Sequence, residues 1–279
     1  MIAQMFRLSR MENGGIERAA STLAAFRLKV RIMRLNRFLA AAGLGSRRGV
    51  EELIIGGRVR INGRAVDDLA TVVEPGDIVK VGTRLLNVQP PIHAILYKPR
   101  GCVVTASDEL ERKTIFDLLP DEWPRVFHVG RLDKESEGLI IVTNDGDLSL
   151  ALTHPRYKVE KEYEVTLNHP FDPAHREKLL RGFHIIGGRA KMEAIMLDAP
   201  QRIRVVLMQG IKRQVRLMLY ELGYEVTQLR RLRIGALHLG KLRPGEWRML
   251  TPREVKILKE RKEPAPVGKP AGVRPRRRA

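Results

Sequence analysis

From Arg34 onward the apolar residues Leu35, Phe38, Leu39 and Ala42 recur at steps of three, one and three, the spacing of one helix face, and Gly43 and Gly45 close the helix. Ser46 is placed to cap a second helix: Val50, Leu53 and Ile54 form its buried stripe, Arg47 and Arg48 its first turn, and Gly56-Gly57 its stop. Short strands follow. Arg58 to Ile61 alternates charged and apolar residues, Asn62-Gly63 is a hairpin signal, and Glu74-Pro75-Gly76-Asp77 turns the chain into Ile78 to Val81. Pro90-Pro91 reads as a linker. Beyond it, Gly138 to Thr143 predicts a central strand buried on both faces, ended by the turn Asn144 to Asp147, with Asp147 capping the next helix. Residues 159–167 alternate strictly: Val159, Lys161, Tyr163, Val165 and Leu167 face one way and Glu160, Glu162, Glu164 and Thr166 the other, so Tyr163 points inward. Ile203 to Met208 predicts another strand. Val215, Met218, Leu219 and Leu222 mark a helix closed by Gly223, with Arg216 on its edge. The expected fold is α+β: a small α/β module over residues 33–90, then a domain over 92–258 built on a mixed, mainly antiparallel sheet.

Charge changes this picture. The 279 residues hold 51 Lys and Arg against 32 Asp and Glu, a net charge of +19, and the sequence pI is near 10.6. Such a surface seeks phosphate. Residues 1–32 contain six Lys and Arg against two Glu, and residues 259–279 eight against two, so more than half of the excess lies at the two ends. The last stretch is rich in Pro, Gly and Arg, and reads as a disordered basic tail, either a non-specific phosphate arm or simply solvated. Residues 1–32 are basic and Ala-rich. They read as an extension, disordered or upstream of a start at Met33, with a targeting peptide as the alternative. The single Cys102 excludes an internal disulfide and a zinc module, and so points to a reducing, cytoplasmic setting. The longest apolar runs, such as Leu139 to Val142, fall far short of the ~20 residues that cross a bilayer, so no membrane partner is expected. The seven His residues show no metal-ligand spacing, and no metal site is expected.

Four stretches of the first module stand in order: Arg34-Leu-Asn-Arg-Phe-Leu, Gly45-Ser-Arg-Arg, Ile55-Gly-Gly-Arg-Val-Arg-Ile-Asn-Gly and Pro75-Gly-Asp. Together they resemble the S4 RNA-binding domain. A helix pair with Arg37, Arg47, Arg48, Arg58 and Arg60 on its polar side would grip structured RNA through phosphates and groove shape. The stretch Gly43 to Gly49 has the wrong spacing for a dinucleotide-binding loop, and a helix rather than a strand precedes it.

In the second domain, Gly130-Arg-Leu-Asp-Lys-Glu-Ser-Glu-Gly-Leu resembles the active-site motif of the pseudouridine synthases. Tyr97-Lys-Pro-Arg-Gly, Lys161-Glu-Tyr163, Lys212-Arg-Gln-Val-Arg216-Leu-Met and Leu232-Arg-Ile-Gly extend the likeness in order, and it spans about residues 33–258. The S4-like module in front narrows it to the class that modifies ribosomal RNA. The resemblance implies that Asp133 is the catalytic carboxylate, Tyr163 the ring that packs on the target uracil, and Arg216 the cation paired with Asp133. Arg131 is placed to reach the RNA backbone or to fill the space left by a flipped base. The residue types suit the chemistry. A carboxylate beside the ribose acts either as a nucleophile at C1′ or as a base at C2′, and both routes stay open. A permanently charged guanidinium would keep it ionised in a pocket that excludes water. The substrate supplies every atom, so no cofactor is expected. Asp133 and Glu137 as a glycosidase pair find no other support. The expected partner is structured RNA, ribosomal RNA or a ribosome-assembly intermediate, bound by a monomer. The competing reading is a non-catalytic RNA-binding or assembly factor, against which the intact Asp133, Tyr163 and Arg216 set argues.

Overall fold

A computed structural model describes residues 32–106 and 108–260 of the protein, in two units, one ending at Pro90 and the other beginning at Pro91. The expectations for residues 1–31 and 261–279 lie outside the described residues. In the first unit, strand β1 (Met33–Arg34) leads into helix α1 (Leu35–Ala41), whose stripe Leu35, Phe38 and Leu39 is buried. Gly43, at φ 87°, turns the chain away. Helix α2 (Glu51–Ile55) starts later than its sequence suggests, because the Ser46 hydroxyl accepts the Gly49 N–H at 3.0 Å and closes a separate turn. Arg47 and Arg48 therefore sit on an exposed turn ahead of the helix rather than in its first turn.

Strands β2 (Val59–Ile61) and β3 (Arg64–Val66) are joined by Asn62 and Gly63, both at positive φ (51° and 85°), as a two-residue hairpin turn requires. The Asn62 amide also accepts the Ile78 N–H at 2.9 Å and donates to Asp77 at 2.7 Å, which fixes the neighbouring turn. Strand β4 (Val72–Val73) pairs with β1, while β5 (Val79–Val81) and β6 (Arg84–Leu85) complete the antiparallel order β3-β2-β5-β6. Val59 and Val79 point into the core with Leu35, Phe38, Leu39 and Ile54. Arg60 and Lys80, directly opposed on β2 and β5, are exposed on the other face. The five arginines thus do not share the polar side of a helix pair: Arg60 belongs to the outer face of the sheet, and Arg58 precedes the same strand.

The second unit runs β7 (His93–Lys98), β8 (Phe127–Val129), β9 (Glu137–Thr143), α3 (Gly146–Thr153), β10 (Lys161–Leu167), α4 (His175–Arg181), β11 (Phe183–Ile185), β12 (Gly188–Ala190), β13 (Ala194–Ala199), β14 (Arg202–Leu207), α5 (Gln214–Tyr220), β15 (Val226–Ile234), β16 (Leu237–His238), β17 (Trp247–Met249) and α6 (Pro252–Lys259). The main sheet has the order β13-β14-β10-β15-β9-β7-β17, with β16 beside β15 and β8 beside β9; only β15 and β9 run parallel. Strand β9 reads as unbroken apolar sequence because both faces are covered. Ile140 and Val142 join the core under α4 and α5, and Leu139 and Ile141 the core under α3 and α6. Strand β10 alternates because only its Tyr163, Val165 and Leu167 face is covered. Its other face carries ion pairs: Glu160 and Glu162 with Arg233, Glu162 and Asp198 with Arg204, and Glu164 with Arg230.

Three local expectations shift. Asp145, not Asp147, caps α3: its carboxylate accepts the N–H groups of Asp147 and Leu148 from a non-helical backbone, which leaves Asp147 inside the first turn. Helix α5 ends at Tyr220, so Leu222 packs beyond it. Lys259, assigned by composition to the tail, is the last residue of α6 and lies 2.6 Å from Asp145. Among the described residues no helix is long and apolar enough to cross a membrane.

Candidate active site

The segment between β8 and β9 carries Arg131 and Asp133, and its shape is set from below and from both sides. Gly130, at φ 73°, turns the chain out of β8, and the His128 ring, its pKa lowered by burial, meets the Gly130 carbonyl at 2.8 Å. The Asp133 carbonyl accepts the Ser136 N–H at 3.0 Å and closes the loop. Beneath it lies Lys98, the last residue of β7 and 0% exposed. Its ammonium donates to the carbonyls of Ser136 at 2.6 Å, Pro99 at 2.9 Å and Lys134 at 3.3 Å. Burial lowers its pKa to about 8, with opposing pulls from Cys102, Asp133, Glu135 and Glu137. A cation in an otherwise apolar strand end is tolerable because three carbonyls receive it.

Helix α5 and the turn before it bring two more cations. Arg216 is half-buried and bridges elements: it donates to the Val226 carbonyl at 2.7 Å and to the Glu135 carbonyl at 3.4 Å. The direct Arg216–Asp133 ion pair expected from the sequence is not formed, because those two carbonyls hold the guanidinium. Asp133 instead lies 4.0 Å from Arg213, which precedes α5 in a left-handed conformation (φ 57°). Asp133 pulls the Arg216 pKa up through space, but the net direction is down, first by burial and then by the like charge of Arg213.

Tyr163 is 9% exposed and faces the core from β10, as the alternation predicts. It connects to the Asp133 loop through a residue that none of the sequence motifs marks as functional. Arg231, its cross-strand partner on β15, places its guanidinium 6.0 Å from the centre of the Tyr163 ring and is 2% exposed. That guanidinium donates to the Leu139 carbonyl at 2.6 Å and to the Arg131 carbonyl at 3.3 Å. A register shift between Glu162 and Tyr163 inserts Leu232 and turns Arg231 toward Tyr163, while Arg230 and Arg233 face the glutamates. Plain alternation along β15 would have put Arg231 and Arg233 on one face, so the signal was hidden. Arg131 is exposed, and its backbone, rather than its side chain, ties it to this network. Arg37, Arg47, Arg48, Arg58 and Arg60 all lie in the first unit; Arg37 is partly buried and the other four are exposed.

The second unit thus sets a carboxylate in a tight loop among guanidiniums, on a mixed sheet with helices on both faces, and the comparisons with known proteins agree with that class. A family model described as RNA pseudouridylate synthase matches residues 92–221, and one of the S4 domain matches residues 33–79. The chain is 36% identical over 232 residues to ribosomal large subunit pseudouridine synthase B of Bacillus subtilis (strain 168), covering 81% of this chain and 95% of that protein. It is 38% identical over 226 residues to the dual-specificity RNA pseudouridine synthase RluF of Escherichia coli (strain K12), covering 80% of this chain and 77% of that one. A crystal structure of a pseudouridylate synthase matches with TM-score 0.60 and 28% identity, over 81% of this chain and 99% of that chain. The chain belongs to the RNA pseudouridine synthase family and carries an S4 domain ahead of its catalytic domain.

Proposed function

We propose that this enzyme isomerises a uridine of ribosomal RNA to pseudouridine, with Asp133 as the catalytic carboxylate. The observation that carries the reading is the convergence on one loop: Asp133 lies 4.0 Å from Arg213, Arg216 is bonded to the same loop at Glu135, and Tyr163 is joined to it through Arg231. The bond from C1′ to N1 breaks, the freed uracil turns, and C1′ bonds to C5; the C5 proton leaves and N1 gains one. Nothing is oxidised or reduced, and no outside reactant enters. Asp133 either attacks C1′ or removes the C2′ proton, and in both routes the carboxylate is the reacting group.

The target base must first leave its stack, and an aromatic face suits a detached base that has to rotate in plane without escaping. Tyr163 is the ring in place for that. Arg131, exposed two residues before Asp133, is assigned to the RNA backbone or to the vacated stack. Arg37, Arg47, Arg48, Arg58 and Arg60 of the S4 domain are assigned to phosphates of the structured RNA. The relative named for the large ribosomal subunit supports ribosomal RNA as the substrate.

Asp133→Asn tests the assignment, since it keeps the shape of the side chain and removes its charge. Pseudouridine formation on a large-subunit ribosomal RNA transcript should vanish while RNA affinity changes little. Substantial residual turnover by the variant would remove Asp133 from its role.

A further inference from the structure

Among the described residues, the buried side-chain polar atoms without a hydrogen-bond partner are Ser136 Oγ, Gln214 Oε1, Arg216 Nε, Arg230 Nε and Arg231 Nη2. Three of them gather at the Asp133 loop: Ser136 is part of it, Arg216 is bonded to its Glu135 carbonyl, and Arg231 to its Arg131 carbonyl. A fold leaves a buried donor unpaired at a cost in stability, so a cluster of them at one place calls for a ligand that completes it. Arg231 is the most constrained of the three. It is 2% exposed, two of its three nitrogens are fixed by the Leu139 and Arg131 carbonyls, and its cation lies 6.0 Å from the Tyr163 ring centre. Its backbone is fixed as well. Gly138 stands opposite it in the parallel β9–β15 pair, and a Cβ at Gly138 would sit 2.7 Å from the Arg231 nitrogen.

We propose that Arg231 Nη2 is a substrate-binding donor, held in reserve for a ring carbonyl of the flipped uracil. The inference rests on the functional reading above and extends it to base recognition. A guanidinium offers only donors and never loses its proton, so on the edge of an intact uracil it complements a carbonyl oxygen and not the N3–H. The Arg231 guanidinium, 6.0 Å from the centre of the Tyr163 ring, puts a fixed donor group beside the ring assigned to the base. A base with its carbonyl weakened would then leave Nη2 poorly paired, and such unpaired groups are what make a polar site selective.

The test uses the full chain and an unmodified large-subunit ribosomal RNA transcript, in which the modified uridine is located, followed by a hairpin containing that uridine. Single-turnover rates at saturating hairpin are measured for wild type, Arg231→Met and Arg231→Lys, with uridine, 2-thiouridine or 4-thiouridine at the target. Sulfur is the poorer hydrogen-bond acceptor. Arg231→Met should slow the reaction about 10- to 100-fold with hairpin affinity nearly unchanged, the range expected for one hydrogen bond from a charged donor. Wild type should be slowed by sulfur at one of the two positions, and both variants should lose most of that sensitivity. If Arg231→Met unfolds, Arg231→Lys, which keeps the buried charge, carries the comparison. A wild-type rate in Arg231→Met, or an equal sulfur effect in wild type and Arg231→Lys, overturns the inference while leaving the functional reading intact. No pseudouridine from the wild-type protein overturns both.

Discussion

Arg213 faces Asp133 across 4.0 Å with side chains 48% and 34% exposed, whereas Arg216 is half-buried and commits its guanidinium to two carbonyls. The two cations should therefore respond differently to removal. An exposed pair of this geometry contributes about 0–1 kcal/mol and is screened by salt. Arg213→Ala should thus slow single-turnover pseudouridine formation by less than about tenfold. The deficit should shrink on going from about 0.1 M salt to about 0.5 M, as the Debye length falls from about 10 Å to about 4 Å. Arg216→Ala strands the part-buried Val226 carbonyl and leaves the exposed Glu135 carbonyl to water, a loss of about 1–3 kcal/mol of stability by the usual cost of an unpaired buried group. Denaturant unfolding should register that loss, and the rate should fall further than for Arg213→Ala at either salt concentration. Equal rates for the two variants would mean that proximity to Asp133, not the bridge to Glu135, governs the contribution.

At the scale of elements, the close approach of β9 and β15 at Gly138 and the seat of Lys98 under the loop are both open to test. Gly138 has φ 104°, and a Cβ there would collide with the Arg231 backbone. Gly138→Ala therefore combines backbone strain with a clash, and should destabilise by more than about 2 kcal/mol in denaturant unfolding. For Lys98, burial lowers the pKa from 10.5 to about 8. Between those values the unfolded chain holds the proton and the folded one does not, so the contribution of Lys98 to stability grows as pH rises from 8 toward 10.5. The stability of wild type minus that of Lys98→Met should climb over that interval; a flat difference would mean that the carbonyls of Pro99, Lys134 and Ser136 hold the amine charged throughout. These two features also mark where the sequence was legible and where it was not. The helix stripe at Leu35, Phe38 and Leu39, the Asn62-Gly63 hairpin, the β9 run and the β10 alternation each follow from local periodicity, and the structure contains all of them. The Asp133 motif was visible as a string of residue types. The contacts that organise it were not, because they join residues 98, 135, 216 and 231 across strands, and the bulge at Leu232 breaks the alternation that would have been used to place Arg231. The Arg216 contact failed for a related reason: sequence spacing carries no information about the carbonyls of Val226 and Glu135 that compete for the guanidinium.

For the whole molecule, the arrangement of charge differs between the two units. On the strands of the S4 sheet, Arg60, Arg64, Lys80 and Arg84 stand without a single acidic residue, and Arg60 opposes Lys80 directly, a like-charge pairing that costs stability unless an anion is brought to it. On the main sheet of the second unit Arg204, Arg230 and Arg233 are instead neutralised by Glu160, Glu162, Glu164 and Asp198. The cations of the S4 sheet are therefore the ones poised to exchange counterions for phosphates. Removing residues 1–90 should weaken affinity for structured RNA and flatten its dependence on salt, by about 0.7–0.9 in the log-log slope for each phosphate no longer engaged. Each unit has its own buried core, with Leu35 and Ile54 in one and Ile140, Val165 and Met218 in the other, so the truncated protein should stay folded and keep slow pseudouridine formation at high RNA concentration. The readouts are a binding isotherm at several salt concentrations and a turnover assay on the same transcript. An unchanged salt slope would place the RNA anchor in the second unit and dismiss Arg37, Arg47, Arg48, Arg58 and Arg60 as phosphate ligands. A lost fold would mean that the second unit's core leans on the first.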